Sequence, residues 1–186
     1  LANFFGGTVN MAIDPNDNNN VIATLSGYTN NDHVYRFSSA MTDNTGDNNY
    51  EAIQGIGGTA LPFMPVYDVM VDYTDKNKVI LATDWGVWST DNAFSALNGA
   101  GVFWSDESGN GMAHCPVFAI EQQQLPSWQS MNSGNIYLGT YGRGFYMSND
   151  LAVVSVEEEE NSLTDDDKNK FASNLGVYPN PLNSLG

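Results

Sequence analysis

Two stretches rich in aspartate and asparagine carry the residue types that bind calcium. They are Asp14-Pro15-Asn16-Asp17-Asn18 and Asp43-Asn44-Thr45-Gly46-Asp47. Ca²⁺ takes carboxylate and amide oxygens as ligands, but neither stretch completes the EF-hand pattern with its Gly and distal Glu. Asp and Asn also form tight turns, because their side chains hydrogen-bond the nearby backbone. The sequence therefore leaves a calcium loop or an ordinary turn open for both stretches, and predicts no other cofactor.

The histidines and the cysteine have poor spacing for a zinc site. His33 lies far along the chain from His114, and His114 and Cys115 are direct neighbours. Zinc ligands from one segment are normally separated by a few residues, so we interpret all three as ordinary residues. A chain with a single cysteine also forms no internal disulfide.

The charge of the chain excludes several classes of partner. Its 186 residues include 6 Lys and Arg against 22 Asp and Glu, a formal net charge of −16. This length suits one ordinary domain. An acidic chain repels phosphate backbones and anionic lipid, so nucleic acid and membrane surfaces are poor partners. The longest apolar runs are far below the roughly 20 residues that cross a bilayer, which predicts no transmembrane segment.

A repeated strand pattern predicts an all-β fold. Residues 9–14, 67–72 and 117–122 share one alternating pattern, and a turn and two further strands follow each of them. Alternation with period two, broken by frequent turns, is typical of antiparallel strands. The predicted second strands are Val21–Leu25, Val79–Thr83 and Ile136–Thr140, and the predicted third strands are Val34–Phe37, Val87–Ser89 and Phe145–Ser148.

The repeats favour three partial blades of a β-propeller with four-stranded antiparallel sheets. One repeat of this size cannot bury both faces of its sheet, so neighbouring repeats must stack. Residues 9–14, 67–72 and 117–122 would then lead the blades nearest the ring axis, with almost no helix; a sandwich with accidental similarity is the alternative. Three blades are fewer than the roughly 4 to 8 of a closed ring. Since the chain starts at Leu1, we expect upstream sequence or another chain to complete the ring.

The acidic residues near the C-terminus predict a linker after the blades. All seven acids of residues 151–186 fall between Glu157 and Asp167. Such a run repels itself and stays extended, so we interpret 151–175 as an acidic linker with few contacts to residues 1–150. The alternative is that the acids form the solvated face of a helix. Such a helix would have few apolar residues for its buried face, namely Leu163, Phe171 and Leu175.

Three runs within residues 7–150 resemble the blades of sortilin-type and xyloglucanase-type propellers with Asp-box repeats. They are Ile13–Asp17, Leu81–Asp91 and Gly139–Phe145. In that family, a Ser-x-Asp-x-Gly-x-Thr-Trp box forms the turn between the third and fourth strands of a blade. Ser89-Thr90-Asp91 with Phe94 approximates it, with Ala93 where a Gly is expected. The Gly139–Gly144 run resembles the end of the last blade.

The resemblance also implies a ligand-binding face. In the family, the turns between second and third strands lie on one face of the ring, which we call the crowned face. In this chain the corresponding turns are residues 26–33, 84–86 and 141–144. Tyr28, Trp85, Tyr141 and Arg143 are then candidates for a carbohydrate or peptide surface. Aromatic faces stack on sugar rings, and a guanidinium suits carboxylates or hydroxyls. The alternative is that these aromatic side chains are structural and pack as wedges between adjacent blades.

The carboxylates give no recognisable catalytic motif. Family glycosidases use two acids about 5 to 9.5 Å apart across the scissile bond. Asp68 and Asp84 are the pair that could lie near the crowned face. We assign no catalytic residue, and an exported xyloglucanase-like glycoside hydrolase, with its acids in upstream blades, stays the alternative function.

The C-terminal residues resemble the start of a type A sorting domain of the Bacteroidota type IX secretion system. Gly176-Val177-Tyr178-Pro179-Asn180-Pro181-Leu182 is similar to the first strand of that β-sandwich-like domain, which needs several strands beyond residues 176–186. Its two prolines hold a rigid backbone that cannot continue a helix. The resemblance implies that Val177, Tyr178, Pro179, Asn180 and Pro181 contact the type IX translocon and its outer-membrane shuttle barrel, with Tyr178 as the apolar anchor.

Together these features predict a secreted or cell-surface propeller that is exported across the outer membrane and binds a polymer or a protein. The predicted domains are the blades at 1–150, the acidic linker at 151–175 and the truncated sorting domain at 176–186.

Overall fold

The computed structural model describes residues 9–29, 31–42, 50–109 and 111–151. These residues form β-strands and two short 3-10 helices at Gly57–Thr59 and Gly99–Gly101, with no α-helix among them. The prediction of an all-β fold is confirmed. The strands are β1 (Val9–Ile13), β2 (Val21–Leu25), β3 (Val34–Phe37), β4 (Tyr50–Ala52), β5 (Val66–Val71), β6 (Val79–Thr83), β7 (Gly86–Thr90), β8 (Ser105–Asp106), β9 (Val117–Gln122), β10 (Ile136–Thr140) and β11 (Gly144–Ser148).

The strands form three separate antiparallel sheets, each a meander in chain order. Sheet 1 is β1 to β4, sheet 2 is β5 to β8, and sheet 3 is β9 to β11. Sheets 1 and 2 have the predicted four strands, whereas sheet 3 has three in the described part of the chain. A strand after β11 would need residues after Leu151, which lie outside the described residues. Three sheets also do not fit the two-layered sandwich that the sequence left open.

The leading strands of the three sheets are neighbours, but they do not pair with one another. The Asn10 side-chain amide on β1 donates to Asp68 Oδ1 on β5 at 2.6 Å, and the backbone N–H of Ile120 on β9 donates to Asp68 Oδ2 at 2.9 Å. One carboxylate therefore connects all three sheets. A charged acceptor is suited to this position because it can take several donors at once.

Two apolar cores lie on opposite faces of sheet 2. Val79 and Leu81 of β6 pack into the first core, together with side chains of sheet 1 such as Ile22 and Val34. Ile80 and Ala82 of β6 pack into the second core, together with side chains of sheet 3. Because alternate residues of a strand face opposite sides, a strand buried on both faces needs a continuous apolar run, and the β6 sequence Val-Ile-Leu-Ala-Thr supplies it.

The three connections from first to second strand share one turn geometry. The N–H groups of Asp14, Asp72 and Gln123 donate to the carbonyls of Asn20, Lys78 and Asn135 at 2.9–3.0 Å. In each turn, the side chain of the first residue accepts the N–H two residues later. The first two turns span seven residues, at 14–20 and 72–78, whereas the third spans 13, at 123–135. The third connection therefore carries a six-residue insertion.

The first calcium candidate, Asp14–Asn18, lies in one of these turns. The carboxylate of Asp14 accepts the Asn16 N–H at 2.9 Å and the Asn20 side-chain amide at 3.0 Å. These are the hydrogen bonds of an ordinary turn, one of the two interpretations that the sequence left open for this stretch. Within the described ranges, acidic, histidine and cysteine side chains form no group of three or more that could hold a metal ion. The second candidate, Asp43–Asp47, lies outside the described residues.

The chain divides into two units, Leu1–Val154 and Ser155–Gly186. All described residues belong to the first unit. In the part of the chain that the structure covers, no helix is long and apolar enough to cross a membrane. The predicted linker beyond Leu151 and the sorting residues Val177, Tyr178, Pro179, Asn180 and Pro181 lie outside the described residues and stay predictions.

Candidate functional site

An aromatic row crosses all three sheets at the end that carries the turns between second and third strands. We use this name for Tyr28, Tyr67, Phe118 and Tyr141 together with Asp84. Tyr28 follows β2, Asp84 lies in the β6–β7 turn, and Tyr141 lies in the β10–β11 turn. Tyr67 and Phe118 belong to the starts of β5 and β9, which reach the same end because the strands are antiparallel.

Two β-bulges present Tyr67 and Phe118 at this end. The β5–β6 pairing shifts between Val66 and Asp68, which leaves Tyr67 as the extra residue. The β9–β10 pairing shifts at the equivalent place, between Val117 and Ala119, which leaves Phe118. A bulge disrupts the strict alternation of a strand and re-aims a side chain. The same device therefore adds an aromatic ring from sheet 2 and another from sheet 3.

Asp84 accepts hydrogen bonds from two tyrosines that come from different sheets. The Tyr67 hydroxyl donates to Asp84 Oδ1 at 2.8 Å, and the Tyr28 hydroxyl donates to Oδ2. The hydrogen bond to Asp84 raises the pKa of Tyr28, and partial burial together with Asp84 raises the pKa of Tyr67. Both phenols therefore stay protonated and keep donating at neutral pH. The carboxylate fixes the tyrosine rings and is not a free general base.

The rings of the row contact one another between sheets 2 and 3. The Tyr67 and Phe118 centroids are 4.6 Å apart with the rings tilted by 49°, and Phe118 meets Tyr141 edge-on at 6.0 Å. These distances lie in the range of favourable aromatic pairs. Tyr28, Phe118 and Tyr141 nevertheless expose 58%, 48% and 71% of their surface. The row is thus both fixed in place and open to a ligand.

Trp85 adds a second aromatic surface beside the row. Gly86, with a φ of +90°, closes the β6–β7 turn in a conformation that suits glycine. The Trp85 ring stacks on His114 with the ring centroids 5.1 Å apart. His114 Nε2 lies 2.7 Å from Asp106 Oδ2. Partial burial alone would raise the pKa of Asp106, but hydrogen bonds from His114 and Ser108 outweigh it and lower that pKa. Trp85 itself is 58% exposed.

The structure brings the predicted ligand residues to one end of the molecule. Tyr28 and Tyr141 belong to the aromatic row, Trp85 lies next to Asp84, and Arg143 is exposed in the same turn as Tyr141. The ring contact between sheets 2 and 3 at this end is made by Tyr67 and Phe118, which sequence reasoning missed. The signal was present in the parallel runs Pro65-Val66-Tyr67 and Pro116-Val117-Phe118, where an aromatic residue recurs two positions after proline.

The other predicted residues have structural partners. Asp68 accepts hydrogen bonds from two neighbouring leading strands and from the N–H of Val69. Both of its carboxylate oxygens therefore already accept hydrogen bonds, as those of Asp84 do. His33 is buried, and its Nε2 lies 2.8 Å from the Gly27 carbonyl oxygen. Cys115 is buried too. None of these residues belongs to the aromatic row.

The six-residue insertion forms a second exposed apolar surface at the opposite end. The Pro126 carbonyl accepts the N–H groups of Gln129 and Ser130 at 2.8 and 3.0 Å, which holds the tip in a compact turn. Trp128 is 78% exposed there, and Leu125 and Met131 are also exposed. Sequence reasoning missed this loop, although its length relative to the turns at 14–20 and 72–78 was available.

No protein-family model matches the chain, and no curated protein matches it.

Proposed function

We propose that the three sheets are blades of a β-propeller and that the aromatic row binds a neutral polysaccharide. Three observations support the blade assignment: the meander sheets, the neighbouring leading strands, and a middle sheet buried on both faces. The observation that carries the binding proposal is the row itself, in which exposed rings from all three sheets are fixed by contacts to one another or to Asp84.

The chemistry of the row suits sugar rings. An exposed aromatic face stacks on the C–H face of a pyranose, and rings already held in place lose little conformational entropy on binding. Asp84 and the tyrosine hydroxyls supply hydrogen-bonding groups between the rings. The net charge of −16 opposes a polyanionic glycan, which favours a neutral β-glucan such as xyloglucan.

Hydrolysis is not part of this proposal. The two carboxylates nearest the row, Asp68 and Asp84, already accept hydrogen bonds on both of their oxygens. A general acid or base needs an oxygen that can exchange a proton with the substrate. The aromatic row is therefore proposed as a binding surface.

The test is binding of the protein to xyloglucan, measured by affinity electrophoresis or calorimetry. Tyr141→Ala removes the most exposed ring of the row, and we expect affinity to fall on the order of tenfold or more. Trp128→Ala is the matched control, because it removes an exposed aromatic ring at the opposite end and should leave affinity unchanged. Binding that is absent from the unaltered protein, or that Tyr141→Ala does not weaken, would contradict the proposal.

We also propose that residues 176–186 direct export through a type IX secretion system, so that the propeller reaches the cell surface or the medium. The support is the Val177-Tyr178-Pro179-Asn180-Pro181 run and the acidic spacer before it, which would let a folded domain stand clear of the translocon. Deleting all residues after Asn174 from the protein in its producing cell is the test. Retention of a folded protein in the periplasm would support the proposal, and normal export would refute it.

A further inference from the structure

The loops between second and third strands are closed at their base by side chains of two different kinds. In sheet 2, the Thr83 hydroxyl donates to the Gly86 carbonyl at 2.8 Å, and in sheet 3 the Thr140 hydroxyl donates to the Gly144 carbonyl at 2.7 Å. Each threonine is the last residue of the second strand of its sheet. In both sheets, a hydroxyl therefore joins the two sides of a tight turn.

Sheet 1 has no threonine at this position. The last residue of β2 is Leu25, which has no side-chain donor, and the loop that follows is longer, at residues 26–33. His33, at the far end of this loop, is fully buried, and its Nε2 lies 2.8 Å from the Gly27 carbonyl oxygen. Because a carbonyl oxygen only accepts hydrogen bonds, Nε2 carries the hydrogen and donates it. The imidazole thus closes the loop of sheet 1.

The surroundings of His33 fix its ring. Its backbone carbonyl accepts the Leu25 N–H at 2.9 Å, and its N–H donates to Gln54 Oε1 at 3.0 Å. The ring meets Phe63 edge-on, with the centroids 5.1 Å apart. Among the described residues, Nδ1 is buried without a hydrogen-bond partner, so the bond to Gly27 is the single polar contact of the ring. The fixed ring therefore sets the position of the Gly27 carbonyl.

The closed loop carries the tyrosine that the aromatic row takes from sheet 1. Gly27 directly precedes Tyr28, whose hydroxyl donates to Asp84 Oδ2 in the β6–β7 turn of sheet 2. More than half of the Tyr28 surface is exposed. The backbone of the loop must therefore bring this side chain to Asp84.

We propose that His33 is a positioning residue of the aromatic row. By closing the loop at Gly27, it holds the Tyr28 hydroxyl at Asp84 without contacting the glycan itself. A ring that is placed before binding loses less conformational entropy when the ligand arrives. This inference rests on the proposed function, because its consequence is the affinity of the row for a glycan.

The ionisation of Tyr28 reports its position without any ligand. The hydrogen bond to Asp84 raises the pKa of Tyr28, so a phenol that leaves Asp84 should titrate at lower pH. His33→Leu keeps a side chain of similar size but removes the donor, and we expect it to lower the Tyr28 pKa. His33→Gln supplies an amide N–H of similar reach and should restore part of the shift. NMR of ring-labelled tyrosine measures the titration, with Tyr28→Phe to assign the signal.

Affinity for xyloglucan tests the functional consequence. We expect His33→Leu to weaken binding about two- to tenfold, because Tyr28 must then be ordered during binding. His33→Gln should weaken it less. If His33 acts through Tyr28, His33→Leu should have no further effect in a Tyr28→Ala background, since residues coupled in this way are not additive.

Trp104→Phe is the matched control. It also removes a buried hydrogen bond from a ring N–H to a backbone carbonyl, that of Ile53 at 2.7 Å, but this bond lies outside the aromatic row. It should leave both the Tyr28 pKa and the affinity unchanged. If His33→Leu does not fold, His33→Asn replaces it, because its amide is one carbon shorter than that of His33→Gln and should not reach Gly27.

The outcomes separate this inference from the proposed function. A Tyr28 pKa that neither His33→Leu nor His33→Asn lowers would overturn the inference, whatever the protein binds. Unchanged affinity in His33→Leu, or an equal loss in the Tyr28→Ala background, would overturn it while Tyr141→Ala still reports glycan binding. A lowered Tyr28 pKa in a protein that does not bind xyloglucan would overturn the proposed function alone and support the positioning role.

Discussion

The two interfaces of sheet 2 are built from the same kind of strand but are closed to different extents. Towards sheet 1, apolar side chains fill the interface out to β4, and Arg36 closes its outer end. The Arg36 guanidinium donates to the carbonyls of Ala93 and Ala96 and to the carboxylate of Glu51. Towards sheet 3, the outer end opens into a cleft of about 600 Å³, whose lining includes Ile80, Met112 and Leu138.

The difference separates two requirements of stacked sheets. Alternation of apolar residues on the first, second and third strands is sufficient to join sheets face to face, and both interfaces have it. Closing the outer end needs a fourth strand and a polar link, which only the interface with sheet 1 has among the described residues. Stability should therefore depend more on the first core than on the second.

The largest expected effect comes from a matched pair of leucines. Leu81→Ala on β6 empties an enclosed site in the first core, and we expect a loss of about 3–5 kcal/mol of unfolding free energy. Leu138→Ala on β10 shortens a side chain that lines the open cleft, so little new enclosed cavity forms and the loss should be about 2 kcal/mol. Denaturant unfolding measures both values, and equal losses would contradict the contrast.

The second largest loss of stability should come from removing the Arg36 side chain, which links sheets 1 and 2 at their outer ends. Arg36→Met leaves the carbonyls of Ala93 and Ala96 and the carboxylate of Glu51 without their shared donor, which should cost about 2 kcal/mol. Lys78→Met is the control at the open interface, where Lys78 lies 3.6 Å from the exposed Asp91. An exposed pair of this kind contributes less than about 1 kcal/mol. If Lys78→Met cost as much as Arg36→Met, the outer ends would be equivalent.

Strand positions were predictable from sequence, because alternation and turn residues are local signals. The segments 9–14, 67–72 and 117–122 correspond to β1, β5 and β9 within one residue at each end. The shared Pro-Val-aromatic runs point to Tyr67 and Phe118 as residues, but the bulges that present them were not predictable, since a bulge depends on pairing with the next strand of the sheet. The hydrogen bond from Tyr28 to Asp84 joins residues 56 positions apart, and no local pattern encodes such a contact.

Acid should weaken the closed interface through Glu51. Partial burial alone would raise the pKa of Glu51, but hydrogen bonds from the Gly99 N–H and from Arg36 outweigh it and lower that pKa. A carboxylate with a lowered folded pKa stabilises the fold fully above its ordinary pKa, and that contribution is lost as the pH falls through the folded value. We expect the unfolding midpoint to drop below about pH 4 and the drop to be smaller in Glu51→Gln. If the unfolding midpoint of Glu51→Gln fell with acid as much as that of the unaltered protein, Glu51 would not contribute to the loss of stability.

The smallest effect should come from the insertion loop, which belongs to neither interface. Replacing residues 124–131 with Tyr-Thr, the pair between Asp72 and Asp75, would shorten the third connection to the length of the other two. The bond from the Gln123 N–H to the Asn135 carbonyl and the bond from the Asn135 N–H to the Asn132 carbonyl can both be kept. The removed side chains Leu125, Trp128 and Met131 are exposed, so the free energy of unfolding should change by less than about 0.5 kcal/mol. Xyloglucan binding should not change either, because the aromatic row lies at the other end. A loss comparable to that of Leu138→Ala would mean that the loop supports the second core, and the stability of sheet 3 would then depend on its turns as well as on its faces.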